Sequence, residues 1–184
     1  MAVGTRQPLS SSVVSLALML VVALAAPLLG ADRRTRLPVI ASSATIANPA
    51  PRLGGFVDPT VRFSLASSFR IASTRVRSHP ACGLLFSEMG SDGFERLAAT
   101  AYRLAASHAD ARVCRSGRDV VAFTRVGSTE TVLCPAFGRL RPDDAAVVLL
   151  HEALHATGMS ESPADPSALD SEGINQSVRL ACGL

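Results

Sequence analysis

Residues 151–155 read His-Glu-Ala-Leu-His, two imidazoles flanking a carboxylate. On an α-helix, side chains four residues apart share a face, so the rings of His151 and His155 can reach one ion together. Imidazole nitrogen is a common zinc ligand, and catalytic zinc keeps one coordination position for water. Glu152, next to the first histidine, can take a proton from that water as the metal lowers its pKa. The chemistry predicted is metal-assisted hydrolysis, with zinc as cofactor, His151 and His155 as ligands and Glu152 as general base. Two ordinary surface histidines would leave unexplained why polar residues interrupt so apolar a stretch.

Two histidines fall short of the three protein donors that catalytic zinc normally uses. The chain continues Ala156-Thr157-Gly158-Met159-Ser160-Glu161, extending the word to HExxHxxGxxE. Glycine at 158 can end the helix in a left-handed conformation and turn the chain back, bringing residue 161 toward the metal. Glu161 is therefore the expected third ligand. Glu172 is its main competitor, and Asp165 and Asp170 are within reach in principle. His108 continues an apolar helical stripe and is expected to be packed or cap-bonded. His79, before Pro80, is expected to be exposed. Tyr102, the only tyrosine, could stabilise an oxyanion but is expected to pack, and Arg139 and Arg141 read as solvated cations flanking the site helix.

The extended word resembles that of the metzincin metallopeptidases, HExxHxxGxxH or, in snapalysin-like members, HExxHxxGxxD. Glu161 stands where those enzymes place their last ligand. The resemblance covers residues 151–161; no methionine follows Glu161, so the family's Met-turn is absent. In the related gluzincins the third ligand comes from a following helix, the position Glu172 would fill. The resemblance implies a zincin that hydrolyses peptide bonds of a peptide or protein substrate, bound along an antiparallel strand. The alternative is a non-catalytic cell-surface zinc-binding or interaction module, which would have no need of Glu152. A third reading is a membrane-tethered protein whose enzyme-like helix is incidental.

The motif needs a helix and a neighbouring strand. Pro142-Asp143-Asp144 suits a helix N-terminus, and the apolar run at residues 145–150 predicts that this helix is central and buried. Upstream, residues 120–126 and 129–134 alternate in polarity around Gly127-Ser128 and read as a hairpin. Asp92 and Glu95 resemble a capping box, opening a helix with a stripe of Phe94, Leu97, Ala98, Ala101, Leu104 and Ala105. A last helix is expected from Asp170 or Ser171, carrying Ile174, Val178 and Leu180. The expected fold is α+β: a small zincin-like domain over residues 80–184, with a short antiparallel sheet packed on the metal-bearing helix.

Residues 1–31 have the pattern of an export signal: Arg6, an apolar run at residues 13–29, and small residues before Asp32-Arg33-Arg34. The run approaches the length of a membrane span, so an uncleaved anchor over residues 13–31 is the alternative. Residues 32–79, rich in Ser, Ala, Pro, Arg and Gly, are expected to be a low-complexity linker or a pro-segment, with a short strand at Val61, Phe63 and Leu65. All 18 basic residues are arginine, and the net charge of +3 is spread along the chain, which predicts no nucleic-acid partner. Cys82, Cys114, Cys134 and Cys182 form an even set without a CxxC pair, so two disulfides and a secreted or periplasmic location are expected. The preferred pairing is Cys114–Cys134 and Cys82–Cys182.

Overall fold

A computed structural model describes residues 50–55, 58–117, 120–165 and 167–184. These belong to one unit, Thr45–Leu184. The export signal or anchor expected at residues 1–31 lies outside the described residues. Among the described residues, no helix is long and apolar enough to cross a membrane.

The stretch expected to be a linker contains the longest described helix, α1 (Pro59–Ser78). Asp58 caps it, its carboxylate accepting from the Thr60 backbone N–H at 2.8 Å, and Pro59 occupies the first turn. Val61, Leu65, Phe69, Ala72 and Val76 recur at helical spacing and are buried. Phe63 points to solvent, 76 % exposed, so the alternation that predicted a strand is replaced by a period near four. Buried serines complete the face: Ser68 Oγ donates to the Ser64 carbonyl at 2.7 Å, so its hydroxyl is satisfied within the helix. The folded domain thus begins well before residue 80, and α1 is core.

After α2 (Pro80–Ser87) comes α3 (Gly93–Ala99), capped as expected by Asp92, which accepts from the Glu95 N–H at 2.8 Å. The apolar stripe then breaks. Residues Ala101–Leu104 form a strand, β2, between two other strands, so sheet pairing overrides an alanine-rich helical pattern. His108 does not continue α3; it opens a separate helix, α4 (His108–Ser116), whose capping box joins Ser107 and Asp110.

The sheet has the order β1-β2-β4-β3, with β1 at Arg52–Gly54, β3 at Ala122–Thr124 and β4 at Glu130–Leu133. Its β3–β4 hairpin is antiparallel, Ala122 facing Leu133 and Thr124 facing Thr131, with Gly127 at φ 77° in the turn. The expected antiparallel sheet is in fact mixed, because β1–β2 and β2–β4 pair in parallel. A 3-10 turn (Pro135–Arg139) leads from β4 to α5 (Pro142–Ala156), and α6 (Ser171–Cys182) closes the fold. Ile174 and Val178 of α6 are buried, whereas Leu180 is 78 % exposed and takes no part in the core. The architecture is α+β, with α1 packed along α5 and a common core of Leu65, Phe69, Leu97, Leu149, Leu150 and Ile174.

Both disulfides of the preferred pairing are present. Cys82–Cys182 ties α2 to the end of α6 across a sequence separation of 100, and Cys114–Cys134 ties α4 to the end of β4 across 20. In the chain-entropy picture a loop of the larger size contributes about 4.7 kcal/mol, a large share for a small domain. Two disulfides are compatible with an extracytoplasmic location.

Candidate metal centre

Helix α5 begins with Pro142, Asp143 and Asp144, whose charges oppose the positive end of the helix dipole. From Ala145 onward nearly every side chain is buried, including His151 at 5 %, Glu152 at 6 % and His155 at 6 % exposure. The helix ends at Thr157, and Gly158 follows with φ +110°, a region that side chains with a Cβ rarely enter. The Gly158 N–H donates to the His155 carbonyl and the Met159 N–H to the Leu154 carbonyl, so the chain folds back over the last turn. The hairpin contributes as well: the Gly127 N–H donates to the His155 carbonyl at 2.8 Å.

That reversal brings three donors together. His151 Nε2 and His155 Nε2 stand 2.9 Å apart, and Glu161 Oε2 lies 3.4 Å from each. All three ligand atoms fall within 4.8 Å of one another. The outer ring nitrogens fix the tautomers. His155 Nδ1 is 2.7 Å from the Met159 carbonyl, which can only accept, so the ring proton sits on Nδ1. His151 Nδ1 is 2.9 Å from Asn175 Oδ1, which assigns the proton likewise. Both Nε2 atoms therefore turn bare lone pairs into the same space.

Burial lowers the His151 pKa, and the neighbouring His155 adds to this, which favours the neutral, ligating ring. Burial also pushes the Glu152 carboxyl up to about 7, against an opposing pull from Thr124. Glu152 Oε2 and Glu161 Oε2 are buried and make no hydrogen bond. Unsatisfied buried carboxylate oxygens beside two inward-facing imidazole lone pairs are costly in isolation and are relieved by a cation. Two imidazoles and one carboxylate could hold a metal ion.

The centre opens into a cavity of about 440 Å³. One wall is β3, with Phe123 and Thr124; Val113 and Val148 make it apolar, and Ser171 and Asn175 of α6 add polar groups. Among the described residues β3 lies at the end of the sheet, so one of its backbone edges has no strand partner there.

Of the residues singled out in the sequence, His151, Glu152, His155 and Glu161 meet here. Glu172 is exposed on α6 and stands outside the group. Asp165 accepts from Ser167, and Asp170 caps α6 by accepting from the Gly173 N–H at 2.8 Å. Tyr102 is buried, its hydroxyl 3.4 Å from the Leu97 carbonyl and its ring edge-on to Phe69, so it packs as expected. His79 is half-buried, 3.1 Å from Arg75 Nη1, and is less exposed than expected. Arg139 and Arg141 are exposed. Asn175 and the Met159 carbonyl escaped sequence reading, since an asparagine on a polar helix face and a backbone oxygen carry no signature. No family model, curated protein or solved structure matches the chain.

Proposed function

We propose that this chain is an exported zinc-dependent peptidase of the zincin type, resembling metzincins with an acidic third ligand. The observation that carries the reading is the convergence of His151, His155 and Glu161 beside the buried Glu152. Bound zinc would polarise a substrate carbonyl and make a neighbouring water more acidic. The remaining work belongs to the chain. His151 and His155 offer neutral nitrogens whose protons are held elsewhere, and Glu161 supplies a negative charge to offset the ion. Glu152 takes the proton of the attacking water and delivers it to the leaving amine.

Peptide is the favoured substrate because β3, the terminal strand of the sheet among the described residues, lines the cavity. An extended peptide can pair with such an edge through its backbone and lay its scissile bond across the metal centre. A purely structural zinc site would gain nothing from a buried carboxylate that makes no hydrogen bond on one oxygen, which disfavours a non-catalytic module. The test is casein turnover by the chain from Asp32 onward. Turnover should vanish with a chelator and return on adding zinc; turnover indifferent to the chelator would exclude this mechanism.

A further inference from the structure

The polar wall of the metal centre comes from α6, an element the HExxH word does not include. Asp170 caps this helix, and Ile174 and Val178 seat it in the core beside α5. At one end Arg179 Nη2 meets Asp144 Oδ1 at 2.7 Å, linking α6 to the first turn of α5. In the same last turn of α6 Cys182 is bonded to Cys82. Between the cap and these ties, half-buried Asn175 places Oδ1 2.9 Å from His151 Nδ1 and also borders the cavity.

The two histidines are held differently. His155 leans on a backbone carbonyl, that of Met159, which no side-chain substitution removes. His151 leans on a side chain from another helix. An imidazole alone divides its proton between Nδ1 and Nε2, and the Nε2-protonated form cannot ligate through Nε2. An acceptor fixed behind Nδ1 holds the ring in the ligating tautomer and orients it.

We propose that Asn175 is a positioning residue for the metal centre, holding His151 with its proton on Nδ1 so that Nε2 stays bare. This rests on the metal-site reading, and its test separates the two. Zinc affinity is measured by chelator competition for the wild type, Asn175→Ala and Asn175→Asp. In parallel, long-range 1H–15N correlation spectra of the metal-free proteins report which ring nitrogen of each histidine is protonated. Asn175→Ala should bind zinc about 10–100-fold more weakly, the range typical of lost outer partners of metal-bound histidines. Asn175→Asp keeps an acceptor and should restore most of that loss. In Asn175→Ala the His151 ring should become a tautomer mixture, while His155 stays as in the wild type. Affinity unchanged in Asn175→Ala, no rescue by Asn175→Asp, or an unaltered His151 ring would each overturn the proposal. Should the wild type bind no zinc, the metal-site reading fails, and the metal-free spectra alone decide: a tautomer mixture at His151 in Asn175→Ala upholds the hold on the ring, and identical spectra refute it.

Discussion

His151 Nε2 and His155 Nε2 face each other at 2.9 Å while each Nδ1 is engaged from behind, by Asn175 and by Met159. Neither pole can donate to the other in those tautomers. The contact is therefore a pair of lone pairs aimed at one place, with the Glu161 carboxylate 3.4 Å from both. Such an arrangement calls for a cation, and each prediction below probes one part of it.

The third ligand is the first. Glu161→Ala should cost more than the roughly 10–100-fold in zinc affinity typical of an outer-shell change, because it removes a direct donor. Glu172→Ala, on an exposed side chain outside the cluster, should leave affinity unchanged. Zinc retained after dialysis against a weak chelator measures both. Full retention in Glu161→Ala with loss in Glu172→Ala would replace the proposed metzincin-like arrangement by a gluzincin-like one.

The extent of the domain is the second. Phe69 lies on α1, 2 % exposed and edge-on to Tyr102. Truncating such a side chain typically costs about 3–5 kcal/mol. Phe69→Ala should lower stability by that amount in denaturant unfolding, whereas a residue in a linker would cost nothing. A neutral result would remove α1 from the core.

What the sequence disclosed follows a physical line. Helix α5 was legible because its start chemistry and its apolar run agree, and the β3–β4 hairpin because alternation and a glycine turn agree. Glu161 was legible from Gly158 and the spacing after His155. Helix α1 was not, since serines that bond within the helix look like loop composition until their burial is known. Strand β2 was hidden because Ala101 and Leu104 also fit a helical stripe, and only pairing with β1 and β4 decides between the two. Asn175 depends on how α6 docks against α5, a tertiary fact with no local pattern.

Acid stability is the third prediction. Asp110 accepts from Arg103 Nη1 at 2.7 Å and from the Ser107 N–H at 3.2 Å. The bonded Arg103, and then Ser107, hold its carboxyl well below the usual carboxylate range. The unfolded chain should have an ordinary value of about 3.9. The pair's stabilisation is thus complete above that pH and is lost as pH falls toward the lower, folded value. Asp110→Asn should lower Tm at neutral pH and flatten the decline of Tm below about pH 4. An acid limb as steep as that of the wild type would show that this pair does not govern it.

Glu152, the proposed general base, carries the central claim. Glu152→Gln preserves shape and removes the ability to take a proton, and it leaves His151, His155 and Glu161 in place. The decisive measurement is peptide hydrolysis by zinc-loaded wild type and zinc-loaded Glu152→Gln, with zinc content determined on the same samples. The prediction is equal zinc in both and turnover lower by at least about 10²-fold in the variant, the scale of a lost general base. Equal zinc with equal turnover would contradict the account, because hydrolysis would then be proceeding without the group placed to drive it.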